Sequence, residues 1–591
     1  MVHRLSLAGI AALFLFVASA PALALAASRT PAGYATIAAI ARRDVVDLGR
    51  AGIATPVHVT LTLAYRHEAD LDELVRLQGT PGSPLFGRFI TPAQFAAYFS
   101  PSIADYARVV SSLQMAGFRV TPDSADRDVI DADAPAPVAE HYFATEIHQV
   151  AQAGHGIRYA NVRPATMPQA IAANVTAVLG LDNLVKFESA RSSDVPANDA
   201  VFQPAQAKPL GGPIERTSSS GTFEGLYPTG LAIAYTYPTQ SGYNGKGHAI
   251  AIVIDSDLAN HDIVTYWTAA GIKRTGSFAR VLVNGSNPGV TADVGETAID
   301  VDMATSLAPG ANVYLYLVSG LTDTTIEDAY DLAVKNGKLD VVSSSFGSCE
   351  LSDTQFASAT NAVAVKGGSE GMTFTASTGD SGGDCRSGSA FEPDIVNSPA
   401  SNPAFLAIGG TTLTIDPTTG ARISETAWGP GGDSGGAGGG VSSYWPLPSY
   451  QKGVDGIAVV PTIKVKPPGT QPKSGFAGRN VPDIALDASD RGTSYVAIYY
   501  ARGGWTAGGG TSVASPMYAA LIADQNQQKN ALSGVANYAL YAAYTNKGAQ
   551  PAGIYGTQFF DVTSGSIGAG WTAKTGYDQA TGIGSVLNGA L

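Results

Sequence analysis

The sequence predicts an α/β protein in which a parallel sheet with helices on both faces is preceded by a separate α/β sandwich. Three observations carry this. The runs at 249–254, 313–318 and 340–344 are nearly all apolar and are separated by helical periodicity, the pattern of strands buried on both faces. Upstream, between residues 35 and 187, helical repeats such as 71–77 and 111–117 alternate with short β-rich segments. Between these regions, residues 189–222 are rich in Ser, Ala, Pro and Gly with little periodicity, which reads as an exposed linker.

Taken in chain order, the first element is Met1-Val-His-Arg4, an apolar run, and small residues up to Ala27, which predict a signal peptide over 1–27. No later apolar run is long enough to span a bilayer, so the expectation is a secreted protein with no membrane partner, extracellular or periplasmic. A net charge of −13 with no Lys/Arg cluster argues against nucleic acid as a partner.

The strand at 249–254 ends in Asp255. Next comes Glu296-Thr-Ala-Ile-Asp300, where i, i+4 spacing puts two carboxylates on one helix face. Such a pair alone reads as a solvated acidic face, but the small apolar flank Ala304-Thr-Ser-Leu-Ala-Pro-Gly-Ala311 argues for a packed helix. Residues 374–380 form a short apolar strand ending in a Gly379-Asp380 turn, where Asp380 by itself reads as a turn cap. In Gly509-Gly-Thr-Ser512-Val-Ala-Ser-Pro516 a serine stands where a glycine-rich loop enters a helix, a place suited to a nucleophile that has a nearby base. Histidine is the usual base. Only His248 and His261 fall in this region, and neither opens an apolar helix.

Glu296, Asp300, Asp380 and Ser512, in this order and context, resemble the sedolisin family of serine-carboxyl peptidases. The resemblance extends to 341–347, 397–411, 438–445 and 478–484. Gly510 takes a position often held by serine in that family. The resemblance implies a subtilisin-like fold and an acid-active endopeptidase made as a zymogen. Ser512 would be the nucleophile, Glu296 the general base, Asp300 its orienting partner and Asp380 a protonated donor to the oxyanion. A carboxylate base still works where imidazole would be protonated, and Asp380 donates only while it holds its proton. The expected activity window is therefore acidic. The implied layout is a signal peptide (1–27), a pro-domain (28–188) that inhibits and chaperones its own catalytic domain, a linker holding the processing site (189–222), and the peptidase domain (223–591). Acid is expected to weaken pro-domain docking by discharging carboxylates. A subtilisin-type Ser/His/Asp enzyme and a catalytically silent binding homologue are the rival readings.

The same resemblance implies one structural Ca²⁺ near the C-terminus. Asp561 and Asp578 would supply carboxylates, and Val562, Lys574 and Gly576 backbone carbonyls. Lys574 departs from the family's usual glycine, and two Asp in glycine-rich loops are by themselves ordinary turn chemistry. Cys349 and Cys385 lie just past strands that this fold sets side by side, so either a disulfide or two free thiols is open. Protein or peptide substrates and a monomeric chain complete the expectation.

Overall fold

The computed structural model describes residues 44–587 apart from 122–125, 190–200, 203–215, 219–220, 224–225, 388–389, 393–394, 417, 430–434, 462–473, 492–493, 503 and 546–556. The expected signal peptide lies outside the described residues. So does most of the expected linker, although Val201–Phe202, Arg216–Ser218 and Gly221–Phe223 within it pair as a small antiparallel sheet.

The N-terminal unit is a four-stranded antiparallel sheet of β1 (Pro56–Leu63), β2 (Arg119–Thr121), β3 (Val129–Pro135) and β4 (Val175–Leu179), in the order β2-β3-β1-β4. One face carries Val57, Val59, Leu61, Ile130 and Ala132. These pack with Val109 and Leu113 of helix α1 (Ile103–Ala116) and Ala139 and Phe143 of α2 (Ala136–Phe143). Alternation sends Thr60 and Thr62 to the other face, and both are fully buried because that face sits against the second unit. The chain leaves through a two-residue strand, β5 (Glu188–Ser189).

The second unit is an eight-stranded sheet. It comprises β6 (Ala249–Ile254), β7 (Phe278–Leu282), β8 (Asn312–Leu317), β9 (Val341–Ser344), β11 (Thr373–Ser377), β12 (Phe405–Ile415), β13 (Arg422–Ala427) and β14 (Ile484–Asp487). The order is β7-β8-β6-β9-β11-β12-β13, with β14 paired to β12. Every pairing is parallel except β12–β13. Strand β10 (Phe346–Cys349) continues from β9 but leaves this sheet to pair with β5 and with Asn397–Ser398.

Helices cover both faces. On one side lie α3 (Val294–Leu307) and α6 (Thr511–Lys529), sharing a core with Ile250, Ile252 and Ile254. On the other lie α4 (Asp323–Asn336) and α5 (Thr354–Ser369), sharing a core with Ala251, Val253 and Phe374. All six residues of β6 are buried, as its unbroken apolar run requires in a parallel sheet covered on both sides. The N-terminal sheet rests on α4 and α5. Lys366 of α5 pairs with Asp126 at 2.7 Å and Asp128 at 2.8 Å, and Lys186 with Asp353 at 2.7 Å, Asp182 at 3.0 Å and Asp323 at 3.6 Å. Cys349 and Cys385 are bridged, with 5.5 Å between their Cα atoms, which ties β10 to the loop after β11.

Candidate active site

Three elements converge at the C-terminal edge of the parallel sheet. Helix α3 brings Glu296 and Asp300, and all 14 of its residues are buried. The solvated-face alternative for this pair is thereby excluded, and two acids share a dry environment. Burial, reinforced by the charge of Glu296, pushes Asp300 well above the ordinary carboxylate range, against a hydrogen bond from Ser345. The Ser345 hydroxyl donates to Asp300 Oδ1 at 2.6 Å, while Oδ2 is buried without a hydrogen-bond partner.

The second element is the turn after β11. Gly379 has φ +93°, and a Cβ there would come within 2.4 Å of Asn397 Nδ2, so the position needs glycine. Asn397 holds the turn by donating to the Thr378 carbonyl at 2.8 Å. Asp380 Oδ1 accepts the backbone N–H and the hydroxyl of Thr511, both at 2.8 Å, and Oδ2 is buried without a partner. Burial raises Asp380 well above its usual value despite the opposing Thr511 bonds, and the negative charges of Glu296 and Asp490 add to the shift. A carboxyl raised in this way holds its proton to higher pH than an ordinary one, and Oδ2 is the oxygen left to carry it.

The third element is the start of α6. Gly510 caps it at φ +123°, and a side chain on Gly509 would strike the Asp490 backbone at 2.7 Å, so both glycines are required by the close turn. Ser512 follows in the first turn, fully buried. Pro516 lacks the N–H that would bond the Ser512 carbonyl, and the Ser345 hydroxyl approaches that carbonyl at 3.4 Å instead. The Ser512 hydroxyl donates to the Ser345 carbonyl at 3.3 Å. Ser345 therefore touches both Asp300 and the serine. Glu296 Oε2 accepts a hydrogen bond of 2.5 Å from the hydroxyl of Ser189, the last residue of β5.

Neither histidine enters this site. His248 lies 3.3 Å from Asp340 at the opposite end of the sheet, and the His261 side chain is 78% exposed.

Residues 43–184 match the family described as "Pro-kumamolisin, activation domain", and residues 281–557 the "Subtilase family". Sedolisin of Pseudomonas sp. (strain 101) is 29% identical over 96% of this chain and 92% of its own. Kumamolisin of Bacillus sp. (strain MN-32) is 28% identical over 93% and 94%. Xanthomonalisin of Xanthomonas sp. (strain T-22) is 28% identical over 91% of this chain, which spans 65% of that protein's length. The chain belongs to the sedolisin family of serine-carboxyl peptidases.

An activation domain and a subtilase-type unit thus stand in one chain. Three residues that touch this site were not singled out from the sequence. Ser345 sits in a Val-Val-Ser-Ser-Ser-Phe-Gly run with nothing to mark one serine from its neighbours. Thr511 has no mark in the sequence beyond adjoining Ser512, and Ser189 none beyond opening the linker. Their roles come from contacts made between distant segments.

Near the C-terminus, Asp561 and Asp578 approach one loop from two sides. Gly576 N–H donates to Asp561 at 3.2 Å, and Lys574 N–H to Asp578 at 2.8 Å. Asp578 is fully buried and also accepts from Ala580 and Thr581 N–H at 2.9 and 2.8 Å. Two carboxylates gathered on a backbone loop, with the buried Val562 next to Asp561 in sequence, fit a hard cation in the type of donor they offer. Elsewhere among the described residues, three side chains place donor atoms within 4.8 Å of one another: His58, Asp131 and Asp328, where β1, β3 and α4 meet. Its mixed nitrogen and oxygen set differs from the all-oxygen shell of calcium. Among the described residues no helix is long and apolar enough to cross a membrane.

Proposed function

We propose that this sedolisin-family zymogen is a secreted, acid-active endopeptidase, with Ser512 as nucleophile, Glu296 as general base, Asp300 as its orienting partner and Asp380 as the oxyanion donor. The observation that carries the reading is a buried cluster without histidine in which Ser345 bonds both Asp300 and Ser512, while Thr511, next to the serine, bonds Asp380, whose carboxyl burial raises well above its usual range. Ser512 attacks the scissile carbonyl and passes its proton to Glu296, while the Asp380 carboxyl donates to the oxygen that gains charge. Glu296 then protonates the leaving amine. The acyl-enzyme is hydrolysed by water activated through the same carboxylate.

The proposed layout is a signal peptide over 1–27, a pro-domain over 28–188, a processing linker over 189–222 and a peptidase domain over 223–591. The pro-domain acts as an intramolecular inhibitor, supported by the chain that leaves it, where Ser189, the first residue of the linker, sets its hydroxyl on Glu296 and occupies the base before any substrate can. One Ca²⁺ held by Asp561, Asp578 and the carbonyls of Val562, Lys574 and Gly576 would cross-link the C-terminal loops, and the enzyme would act as a monomer.

The test is to bring purified full-length chain to pH 4 with calcium, beside Ser512→Ala and Glu296→Ala, and follow chain size and digestion of a denatured protein. Wild type sheds its N-terminal unit and digests substrate while both variants stay intact and silent. A fully active Glu296→Ala would sink the assignment of the base.

A further inference from the structure

Strand β5 lies antiparallel to β10, with Ser189 opposite Phe346 and Glu188 opposite Gly347. Just before it, the backbone N–H groups of Lys186 and Phe187 approach the Leu321 carbonyl, at 3.4 and 3.5 Å. The segment is thus an extended chain held by its main chain on two sides. That is how a cleft binds peptides of varied sequence, with alternate side chains supplying the selectivity. Side chains two apart in a strand share a face. Here Ser189 reaches Glu296, and Phe187 is buried at 2% exposure, its ring centroid 4.2 Å from that of Phe356 and 6.3 Å from that of Phe346. Carrying the antiparallel register forward by one places the next residue of a bound chain opposite Ser345, whose carbonyl holds the Ser512 hydroxyl at 3.3 Å.

We propose that residues 187–189 trace the register of a substrate, and that the Phe346/Phe356 recess is a subsite for a large aromatic side chain three residues before the residue whose carbonyl Ser512 attacks. The proposal rests on Ser512 being the nucleophile. The recess is lined by aromatic rings that are themselves fully buried, one from β10 and one from the first turn of α5. Both are anchored in the peptidase unit, so the recess stays when the N-terminal unit departs. An aromatic ring gains there both the burial of its own large surface and tilted or edge contacts with two other rings. A small or charged side chain at that position gains neither and leaves the recess poorly filled.

The experiment uses full-length chain activated in acid to digest a denatured protein mixture, with every cleavage site mapped by mass spectrometry. Two synthetic peptides differing only by Phe or Ala at the position in question are then compared. Wild type should show Phe, Tyr and Trp enriched three residues before the residue that supplies the new C-terminus, and should favour the Phe peptide in kcat/KM by about 10- to 100-fold. Phe356→Ala should flatten both preferences, and Phe356→Trp, which fills the recess, should turn them toward small side chains while cleavage elsewhere in the profile is kept. A wild-type profile with no enrichment at that position overturns the proposal, as does an enrichment that both variants keep. Cleavage with a flat profile leaves the peptidase reading standing and removes only the subsite, whereas a wild type that cuts nothing removes both.

Discussion

Asp380 has to hold a proton at a pH where the Glu296/Asp300 pair has lost at least one, and its surroundings supply the difference. Burial raises it, and the two Thr511 hydrogen bonds to Oδ1 do not cancel that rise. Because the shift is upward, the donor is present in acid and lost as pH climbs through the raised value, so kcat/KM should decline on that limb. Asp380→Asn keeps a donor that cannot ionise, and its pH profile should lose the alkaline decline. Asp380→Ala removes the donor and should lower kcat by roughly 10²–10³ at every pH. Equal pH profiles for wild type and Asp380→Asn would rule out this role. Ser345 tests the acid pair from the other side. Its hydroxyl is the hydrogen bond that the structure records on Asp300 Oδ1, and Ser345→Ala should cost roughly 10- to 100-fold in kcat, the worth of one hydrogen bond to a charged or shared-proton acceptor. The pair titrates together, so its acid limb is a property of both groups.

At the scale of elements, the site depends on two departures from regular structure. Helix α6 starts from glycines that no side chain could replace and carries Pro516 where its missing N–H leaves the Ser512 carbonyl to Ser345. The β11 turn is closed by Gly379 in the left-handed region against Asn397. Gly379→Ala meets both a strained φ and a 2.4 Å clash, and should destabilise the fold by about 1–3 kcal/mol while displacing Asp380 from Thr511. Calorimetry gives the first effect and the pH profile the second. A variant that melts and titrates like wild type would show that the turn relaxes freely. In the C-terminal loops, adding Ca²⁺ to the Ser512→Ala chain should raise its melting temperature, and Asp578→Asn should abolish most of that gain. A melting temperature indifferent to calcium would count against the proposed site.

At the scale of the whole molecule, the seam between the units divides its carboxylates by sign. Asp323 and Asp331 of α4 are pushed up to about 7, first by burial, and Glu370 to about 8. Groups with raised values bind protons in the docked form, so their contribution is fully present below the ordinary carboxylate value and fades as pH rises through 7 to 8. Mild acid therefore strengthens this part of the seam. Asp128 behaves oppositely. Burial, the largest single influence, works to raise it, but the Lys366 and Lys335 ammonium groups and the hydrogen bonds it accepts together hold it below its usual value. Its contribution is lost only as pH falls below the ordinary carboxylate range, about 3.9 for Asp. The general expectation that acid weakens docking thus applies to Asp128 and not to its neighbours. In a Ser512→Ala chain nicked in the linker, the two units should stay together at pH 5 and separate only at lower pH. Lys366→Met strands two buried carboxylates at a cost of about 3–5 kcal/mol and should let the units part at pH 7. Co-elution of the nicked Lys366→Met chain at pH 7 would show that the pair does not hold the seam.

The sequence by itself determined the fold class, because strands buried on both faces must be continuously apolar and the helices between them must be periodic; the observed β6, β8 and β9 lie within a residue or so of the runs read at 249–254, 313–318 and 340–344. It singled out Glu296, Asp300, Asp380 and Ser512 only through the resemblance to the sedolisin family, because by local pattern alone the acid pair reads as a solvated face and Asp380 as a turn cap. The sequence alone is compatible with either a bridge or two free thiols at Cys349 and Cys385, and the bridge is formed. What only the tertiary structure decided are relations between segments far apart in the chain. Ser345 joining Asp300 to Ser512, Thr511 clamping Asp380, Ser189 capping Glu296 and the sign of each carboxylate at the seam all depend on which groups are buried against which. Spacing along a chain reports local geometry, whereas hydrogen bonds and desolvation between distant segments exist only once the core has closed around them.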